Sequence, residues 1–157
     1  MIKKIITEPN SVLRKISLLV LNFKSQETKQ VIQDLKDTLK ACQEGLGLAA
    51  PQIGTNLRIF VLESEEKIAV FINPKITRFS RKTTLHNEGC LSVPGRTDEI
   101  ARASKVILKY YDEDGKKHKI KAAGLLAEAF QHEIDHLDGI LYIDKIKNPL
   151  PTGRQEK

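Results

Sequence analysis

Apolar side chains recur at helical spacing in one long segment near the N-terminus. They fall on one side of residues 25–44, which predicts a long helix with one buried face. Ser25 is a plausible N-cap for this helix, and Gly45 is placed to end it. Cys42 falls on the apolar face, so we expect a small buried side chain there rather than a chemical role.

The remaining predicted elements are a second helix and several short strands. Helical spacing over residues 125–138, followed by Gly139, predicts the second helix and its end. Apolar runs bounded by turn residues predict strands at residues 57–62, 68–72, 105–111 and 117–122, with a closing strand at residues 141–143. Because the strands form hairpins between two helices instead of alternating with helices, the fold class is α+β with antiparallel pairing.

Length and composition indicate one ordinary globular domain. We expect this domain at residues 1–148, followed by a short C-terminal tail at residues 149–157. A polar N-terminus, only two cysteines and no apolar run of about 18 residues predict a cytoplasmic protein without a membrane span. Lysine and arginine outnumber aspartate and glutamate by 26 to 20. This excess suits an RNA partner, but proteins that bind no nucleic acid carry it as often.

The segment around His132 has the pattern of a metal-binding helix. His132 and His136 are four residues apart, so both imidazoles leave the same helix face about one turn apart. Glu133 stands beside them, where it can reach a water molecule without ligating the ion. This HExxH pattern on a helix is typical of metal-dependent hydrolases, and the alternative is a helix that carries two histidines by chance.

A catalytic site of this kind needs a third protein ligand and keeps one position open. Tyr142 occupies the position where one class of proteases has a third histidine, and the one glutamate further downstream is Glu156. The third ligand should therefore come from upstream. The candidates there are Cys90, Cys42, His86 and the carboxylates. Cys90 is favoured because it follows polar residues and a glycine, outside any regular apolar pattern, and a Cys-His-His set suits zinc or iron.

A glycine-rich run occupies residues 45–54. It lacks the Lys-Ser/Thr ending of a phosphate-binding loop and follows no predicted strand, so we do not expect it to bind a nucleotide. Its small residues could let a peptide lie along the chain, or could simply form a tight connection between helix and strand. Gln52 is the polar side chain in this run that can donate two hydrogen bonds.

Three segments, in this order and with these separations, resemble peptide deformylase. They are GLGLAAPQ at residues 45–52, EGCLS at residues 88–92 and QHEIDHL at residues 131–137. The resemblance implies an α+β fold in which antiparallel sheets surround the central helix that carries the HExxH pattern. It also implies removal of the N-formyl group from the initiator methionine of newly synthesised polypeptides, with release of formate.

The resemblance also implies roles for individual residues. The metal ligands would be Cys90, His132 and His136, holding one divalent ion, Fe²⁺ in the first place and Zn²⁺ or Ni²⁺ as substitutes. Glu133 would transfer the proton, while the Gln52 amide and the Leu91 backbone N–H would stabilise the oxyanion. The substrate-binding residues would be Leu46, Gly47, Gly89, Arg96 and Leu125. The implied partners are N-formylated nascent polypeptides, with a weak association with the ribosome and no binding to membranes or DNA.

Other polar residues near these segments call for a partner. Candidates for a polar network behind the ligands are Glu88, Arg102, Gln131 and Asp135.

His86 and Glu128 are polar at positions where the family's pocket for the methionine side chain is apolar. Because an unpaired buried carboxylate is costly, Glu128 should either face solvent or pair with His86.

Two other functions fit parts of the sequence. A metallopeptidase would use the same ion on ordinary peptide bonds, but its usual downstream ligand is missing. A basic RNA-binding domain with a structural zinc would need a fourth ligand from His86 or Cys42, and it would unfold on chelation.

Overall fold

The computed structural model describes residues 1–147 and confirms the α+β class with antiparallel sheets. The expected tail, Glu156 and the last residue of the expected domain lie outside the described residues, so these remain predictions. The helices are α1 (Gln26–Ala41), α2 (Gly124–Leu137) and α3 (Tyr142–Lys147). The strands are β1 (Gly47–Ala49), β2 (Ile59–Glu63), β3 (Ile68–Phe79), β4 (Thr83–Cys90), β5 (Val93–Ala103), β6 (Lys105–Tyr111) and β7 (Lys117–Ala123). Short 3₁₀ turns occupy Ser11–Arg14 and Ala50–Ile53.

The seven strands form two sheets. The larger sheet is antiparallel in the order β1-β2-β3-β6-β7, and β4 pairs with β5 in a separate ribbon. Since β1 pairs only with β2 and β4 pairs only with β5, each of these two strands keeps one free edge. Free edges matter here because an extended peptide can add to them by backbone hydrogen bonds.

Helix α1 covers one face of the larger sheet. Its N-terminus is capped as predicted, since the Ser25 side chain accepts a hydrogen bond from the backbone N–H of Thr28. The buried residues of this layer are Val31, Ile32, Leu35 and Leu39 from the helix and Leu48, Ile59, Val61, Val70 and Ile72 from the sheet. Alternation along each strand sends the intervening side chains to the opposite face.

Helix α2 covers that opposite face. The core there contains three phenylalanines in mutual contact, Phe60, Phe71 and Phe130, with ring centroids 4.7–6.2 Å apart. Ala127, Ile134 and Leu137 add the rest of the buried helix face. His132, Glu133 and His136 do not belong to this core, so packing of the helix fixes the orientation of these polar side chains. No helix among the described residues is long and apolar enough to cross a membrane.

The structure corrects three expectations about local elements. The closing strand at residues 141–143 is wrong, because the short helix α3 begins at Tyr142. Helix α1 ends at Ala41, before Gly45, and Cys42 is its half-buried C-cap instead of a buried residue on the helix face. The ribbon of β4 and β5 was not predicted, because several polar side chains of β4 face inwards and interrupt any apolar alternation.

Candidate active site

Strand β4 and helix α2 meet through three pairs of side chains that repeat in register. The pairs are His86 Nδ1 with Glu128 Oε2 at 2.8 Å, Glu88 Oε1 with His132 Nδ1 at 2.9 Å, and Cys90 Sγ with His136 Nε2 at 3.3 Å. Two strand residues advance about 6.6–6.8 Å and four helix residues advance about 6.0 Å, so the two repeats nearly match. This match places alternate residues of the strand opposite one face of the helix.

Cys90 and His136 of the last pair, together with His132 of the neighbouring pair, form a cluster of three metal-ligating atoms. Cys90 Sγ, His132 Nε2 and His136 Nε2 all lie within 4.8 Å of one another, and the two Nε2 atoms are 3.2 Å apart. Tetrahedral ligands at about 2.0–2.3 Å from an ion are separated by about 3.3 Å for two nitrogens and about 3.6 Å for nitrogen and sulfur. The observed separations therefore fit one shared cation.

The electrostatics of the cluster also favour a cation. Burial, with a contribution from His132, holds the pKa of His136 well below its usual value, which keeps this imidazole neutral and able to ligate. Burial also lowers the pKa of His132, but hydrogen bonds to Cys90 and Glu88 outweigh it and raise this pKa to about 10. Cys90 and Glu88 thus stabilise positive charge at His132, one of the three donor residues.

A buried ionic network stands behind the ligands. Arg102 donates to both oxygens of Glu88 at 2.7 and 2.8 Å and to Asp135 at 2.6 Å, while Glu88 accepts from His132. Burial would raise the pKa of Glu88, but hydrogen bonds from Arg102 and His132 lower it to about 2. Gln131 does not join this network, because it bonds to the backbone of Ala103 and Ala127. The network fixes the His132 ring and keeps the Glu88 carboxylate ionised.

Glu133 is buried beside the ligand cluster without a hydrogen-bond partner for its Oε2 atom among the described residues. Burial raises the pKa of Glu133 to about 7. Its Oε1 atom approaches β1 so closely that a Cβ at Gly47 would lie 2.8 Å from it and 2.5 Å from Leu62 Cδ2. Glycine at residue 47 is therefore required to leave room for this carboxylate.

Gln52 and the turn after Cys90 lie beside the ligand cluster. The Gln52 carbonyl oxygen accepts from the Ala49 N–H at 2.9 Å, while its amide nitrogen donates to Ser92 Oγ at 3.1 Å and lies 3.7 Å from Cys90 Sγ. Leu91 lies in the turn between β4 and β5. The sequence analysis missed Ser92, which is fully buried and positions the amide; a serine so close to the cysteine was the available signal.

A cavity of about 570 Å³ opens beside the ligand cluster. It is lined by Gln52, Cys90, Leu91, His132 and Glu133 and by the expected substrate-binding residues Leu46, Gly47, Gly89, Arg96 and Leu125. Two of these, Gly47 and Gly89, belong to β1 and β4, and each of these strands has a free edge. The cavity thus offers backbone positions for an extended peptide that leads towards the ligand cluster.

His86 and Glu128 form the polar pair furthest from the metal ligands. Glu128 lines the cavity, and its Oε2 atom lies 2.8 Å from His86 Nδ1, so it does not simply face solvent. Burial raises the pKa of Glu128. His86 itself does not line the cavity wall, contrary to expectation, since it approaches Glu128 from β4.

The other candidate ligands are placed elsewhere. Within residues 1–147, the group of side chains able to hold an ion is Cys90, His132 and His136. Cys42 caps α1, and His86 is paired with Glu128, so neither joins this group. A structural site with a fourth protein ligand finds no support in the described part of the chain.

Comparisons with known proteins agree with this geometry. A family model described as polypeptide deformylase matches residues 2–151. The peptide deformylase of Pelagibacter ubique is 44% identical over 148 residues, which cover 91% of this chain and 85% of the relative. The crystal structure of a peptide deformylase from Legionella pneumophila has a TM-score of 0.86 and 42% identity, covering 92% of this chain and 85% of that chain.

A second solved structure carries a ligand. The peptide deformylase from Synechococcus elongatus in complex with actinonin has a TM-score of 0.86 and 36% identity, covering 96% of this chain and 82% of that chain. The family match extends over nearly the whole sequence, and both structures share its fold. The chain therefore belongs to the polypeptide deformylase family.

Proposed function

We propose that this protein is a metal-dependent hydrolase that removes the N-formyl group from the N-terminal formyl-methionine of newly synthesised polypeptides and releases formate. The observation that carries the proposal is the convergence of three ligand atoms, a buried carboxylate and a primary amide at one cavity. Membership of the deformylase family supports the same reaction. Its substrates are N-formylated nascent polypeptides, so we place the activity in the cytoplasm, with at most a weak association with the ribosome.

Cys90, His132 and His136 would hold one divalent ion. When bound, such an ion polarises the formyl carbonyl and lowers the pKa of the attacking water. Fe²⁺ is the ion we propose, with Zn²⁺ or Ni²⁺ able to replace it, because one thiolate and two imidazoles suit all three. The Glu88 carboxylate supports this set by accepting a hydrogen bond from His132 Nδ1, which leaves Nε2 free to ligate.

Glu133 would transfer the proton. Its buried carboxylate, with a pKa of about 7, can take a proton from the attacking water and return it to the departing amine near neutral pH. The absence of a partner for Oε2 among the described residues leaves that oxygen available to a water molecule. The other buried carboxylate in the cavity wall, Glu88, already accepts hydrogen bonds from Arg102 and His132.

Gln52 and Leu91 would stabilise the negative charge that develops on the formyl oxygen. The Gln52 amide is held by Ala49 and Ser92 beside Cys90, so its N–H groups are oriented before substrate binds. The Leu91 backbone N–H would be the second donor. In comparable sites each such donor contributes about 3 kcal/mol to transition-state stabilisation.

The substrate backbone would lie extended between Gly47 and Gly89. Side chains would then alternate between the two sides of the peptide, as they do in any added strand. Leu46 and Leu125 would provide apolar contacts, and both are more than half exposed in this structure. Arg96 would contact the chain further from the formyl group.

Release of formate tests the proposal. The Fe²⁺-loaded protein, handled without oxygen, is incubated with a formyl-methionyl tripeptide and with its acetyl-methionyl counterpart. We expect formate and one new amino terminus per formylated peptide, no reaction of the acetylated peptide, and loss of activity on chelation. Binding of the formylated peptide without formate release would refute the proposal, and cleavage of unformylated peptides at internal bonds would favour a metallopeptidase.

A further inference from the structure

Part of the larger sheet remains uncovered on the side that α1 occupies. Val106 and Leu108 of β6 point to the α2 side, so the alternating residues of β6 and β7 point to the α1 side. There the apolar layer of α1 gives way to exposed cations. We call this surface the lysine face, and its members are Lys75, Arg78, Lys105, Lys109, Lys119 and Lys121, all exposed.

The pairing of the strands sets like charges directly side by side. Lys75 of β3 lies opposite Lys109 of β6, and Lys109 lies opposite Lys119 of β7. Neighbouring strands are about 4.7–4.9 Å apart, so three ammonium groups extend from one row. Like charges in directly opposed positions destabilise a sheet. Such a row therefore costs the isolated protein stability.

The lysine face lacks internal compensation. Within residues 1–147, none of its six members forms an ion pair with a carboxylate at 4.0 Å or less. In the acidic turn that joins β6 to β7, Asp112 binds His118 and Glu113 binds Lys36, so neither carboxylate pairs with the lysine face. Elsewhere cations do find partners, as Lys36 does with Glu113 and Arg58 with Asp138. An external polyanion would supply the missing negative charge.

A cavity of about 460 Å³ lies between the ends of β3, β6 and β7, and its wall includes Arg78, Lys105 and Lys121 of the lysine face. Phe79 also lines this cavity, but it pairs with Val106, so its side chain points to the α2 side and does not belong to the lysine face. The lysine face therefore offers contacts to phosphate groups, which do not depend on the sequence of bases.

We infer that the lysine face binds RNA through its phosphate backbone. The choice of RNA over another polyanion rests on the proposed function, because a nascent polypeptide is made and held by RNA. The lysine face and the catalytic cavity share no residue. RNA binding and deformylation can therefore take place at the same time.

Binding of a fluorescein-labelled oligouridine, followed by fluorescence anisotropy at several salt concentrations, tests the inference. The proteins are the metal-loaded enzyme, a variant with Lys75→Gln, Lys109→Gln and Lys119→Gln, and a matched variant with Lys4→Gln, Lys15→Gln and Lys29→Gln. The three control lysines are also exposed and also lack an ion pair within residues 1–147. Both variants lose the same charge, so any difference between them reports position.

The wild type and the control variant should bind the RNA with similar affinity and salt dependence. The lysine-face variant should bind at least tenfold more weakly, with the slope of log K against log salt reduced by about 2, because each phosphate contact on a single strand contributes about 0.7. Thermal unfolding of each protein should show a cooperative transition, which checks that all three are folded. Equal losses in both variants, or no RNA binding by the wild type, would overturn the inference.

Two further measurements separate the alternatives. The first is binding to phosphatidylglycerol vesicles. If the wild type binds these vesicles but not the RNA, the surface is assigned to a membrane and the inference is overturned. Formate release from a short formyl peptide should be the same in all three proteins. A wild type that binds RNA but releases no formate would refute the proposed function and leave the RNA site standing.

Discussion

Two charged regions of this protein treat their charges in opposite ways. Behind the metal ligands, Glu88, Arg102 and Asp135 are joined by hydrogen bonds of 2.6–2.8 Å, and Glu88 and Arg102 are almost completely buried. On the lysine face, exposed cations such as Lys75 and Lys109 stand beside one another without carboxylate partners within residues 1–147. Removing one member of the buried network leaves another charged group without its partner, whereas removing one lysine of the exposed row relieves repulsion.

The difference separates charge that the fold uses from charge that it tolerates. The buried network orients His132 and keeps Glu88 ionised, so it serves the geometry of the site directly. The exposed row of lysines forms no ion pair within residues 1–147 that stabilises the fold. Because its register sets like charges opposite one another, the row lowers stability. Glu133 lies between the two cases, because it is buried and its Oε2 atom has no hydrogen-bond partner within residues 1–147.

Glu133→Gln should have the largest effect. The amide keeps the shape of the side chain but cannot accept the proton, so formate release should fall by about 10²–10⁴-fold while the metal content stays unchanged. Glu128→Gln is the matched control on the same helix, since Glu128 also lines the cavity but already contacts His86. A Glu133→Gln protein that keeps wild-type activity would show that another group transfers the proton.

Arg102→Met should destabilise the fold strongly. The substitution leaves the buried Glu88 carboxylate without its two strongest hydrogen bonds, and breaking a buried pair in this way costs about 3–5 kcal/mol. Urea unfolding of the metal-free protein measures the loss. Arg96→Met is the control, because Arg96 is 47% exposed beside Asp98 and such surface pairs contribute about 0–1 kcal/mol. Equal losses in the two variants would contradict the assigned burial.

Acid should remove part of the same stabilisation. The pKa of Glu88 is lowered from 4.5 to about 2 in the folded state, so its contribution is present above pH 4.5 and is lost as the pH falls towards 2. The unfolding free energies of metal-free wild type and Glu88→Gln should therefore converge across this range. A difference between the two proteins that stays constant from pH 5 to 3 would show that Glu88 is not held ionised.

Lys109→Gln should have the smallest effect, and in the opposite direction. Lys109 stands between Lys75 and Lys119, so its neutralisation should raise the unfolding free energy by about 0.2–1 kcal/mol without changing formate release. Lys29→Gln, on the exposed side of α1, should change neither. If Lys109→Gln were less stable than Lys29→Gln, the repulsion argument would fail.

Local patterns were enough to predict the elements that carry regular apolar spacing. Helices α1 and α2 and both hairpins of the larger sheet follow from their periods, because one face of each packs on the core. The ribbon of β4 and β5 does not show such a period, since His86 and Glu88 take inward positions where apolar residues are usual. Those positions are polar because they face α2 and its histidines.

Residues distant in the sequence set the limit of what could be predicted at the site. The HExxH spacing indicated His132 and His136, but several upstream residues could have supplied the third donor until the fold brought Cys90 to them. The contact of Gln52 with Ser92 and the link from Arg102 to Asp135 join segments far apart in the chain. No local period reports such contacts, because tertiary packing alone decides them.

Anomalous diffraction from crystals of the Fe²⁺-loaded protein would locate the ion on which the proposed chemistry depends. We expect a single peak at bonding distance, about 2.0–2.3 Å, from Cys90 Sγ, His132 Nε2 and His136 Nε2. A peak elsewhere, or an ion bound by the two histidines with the Cys90 sulfur turned away, would contradict the proposed chemistry.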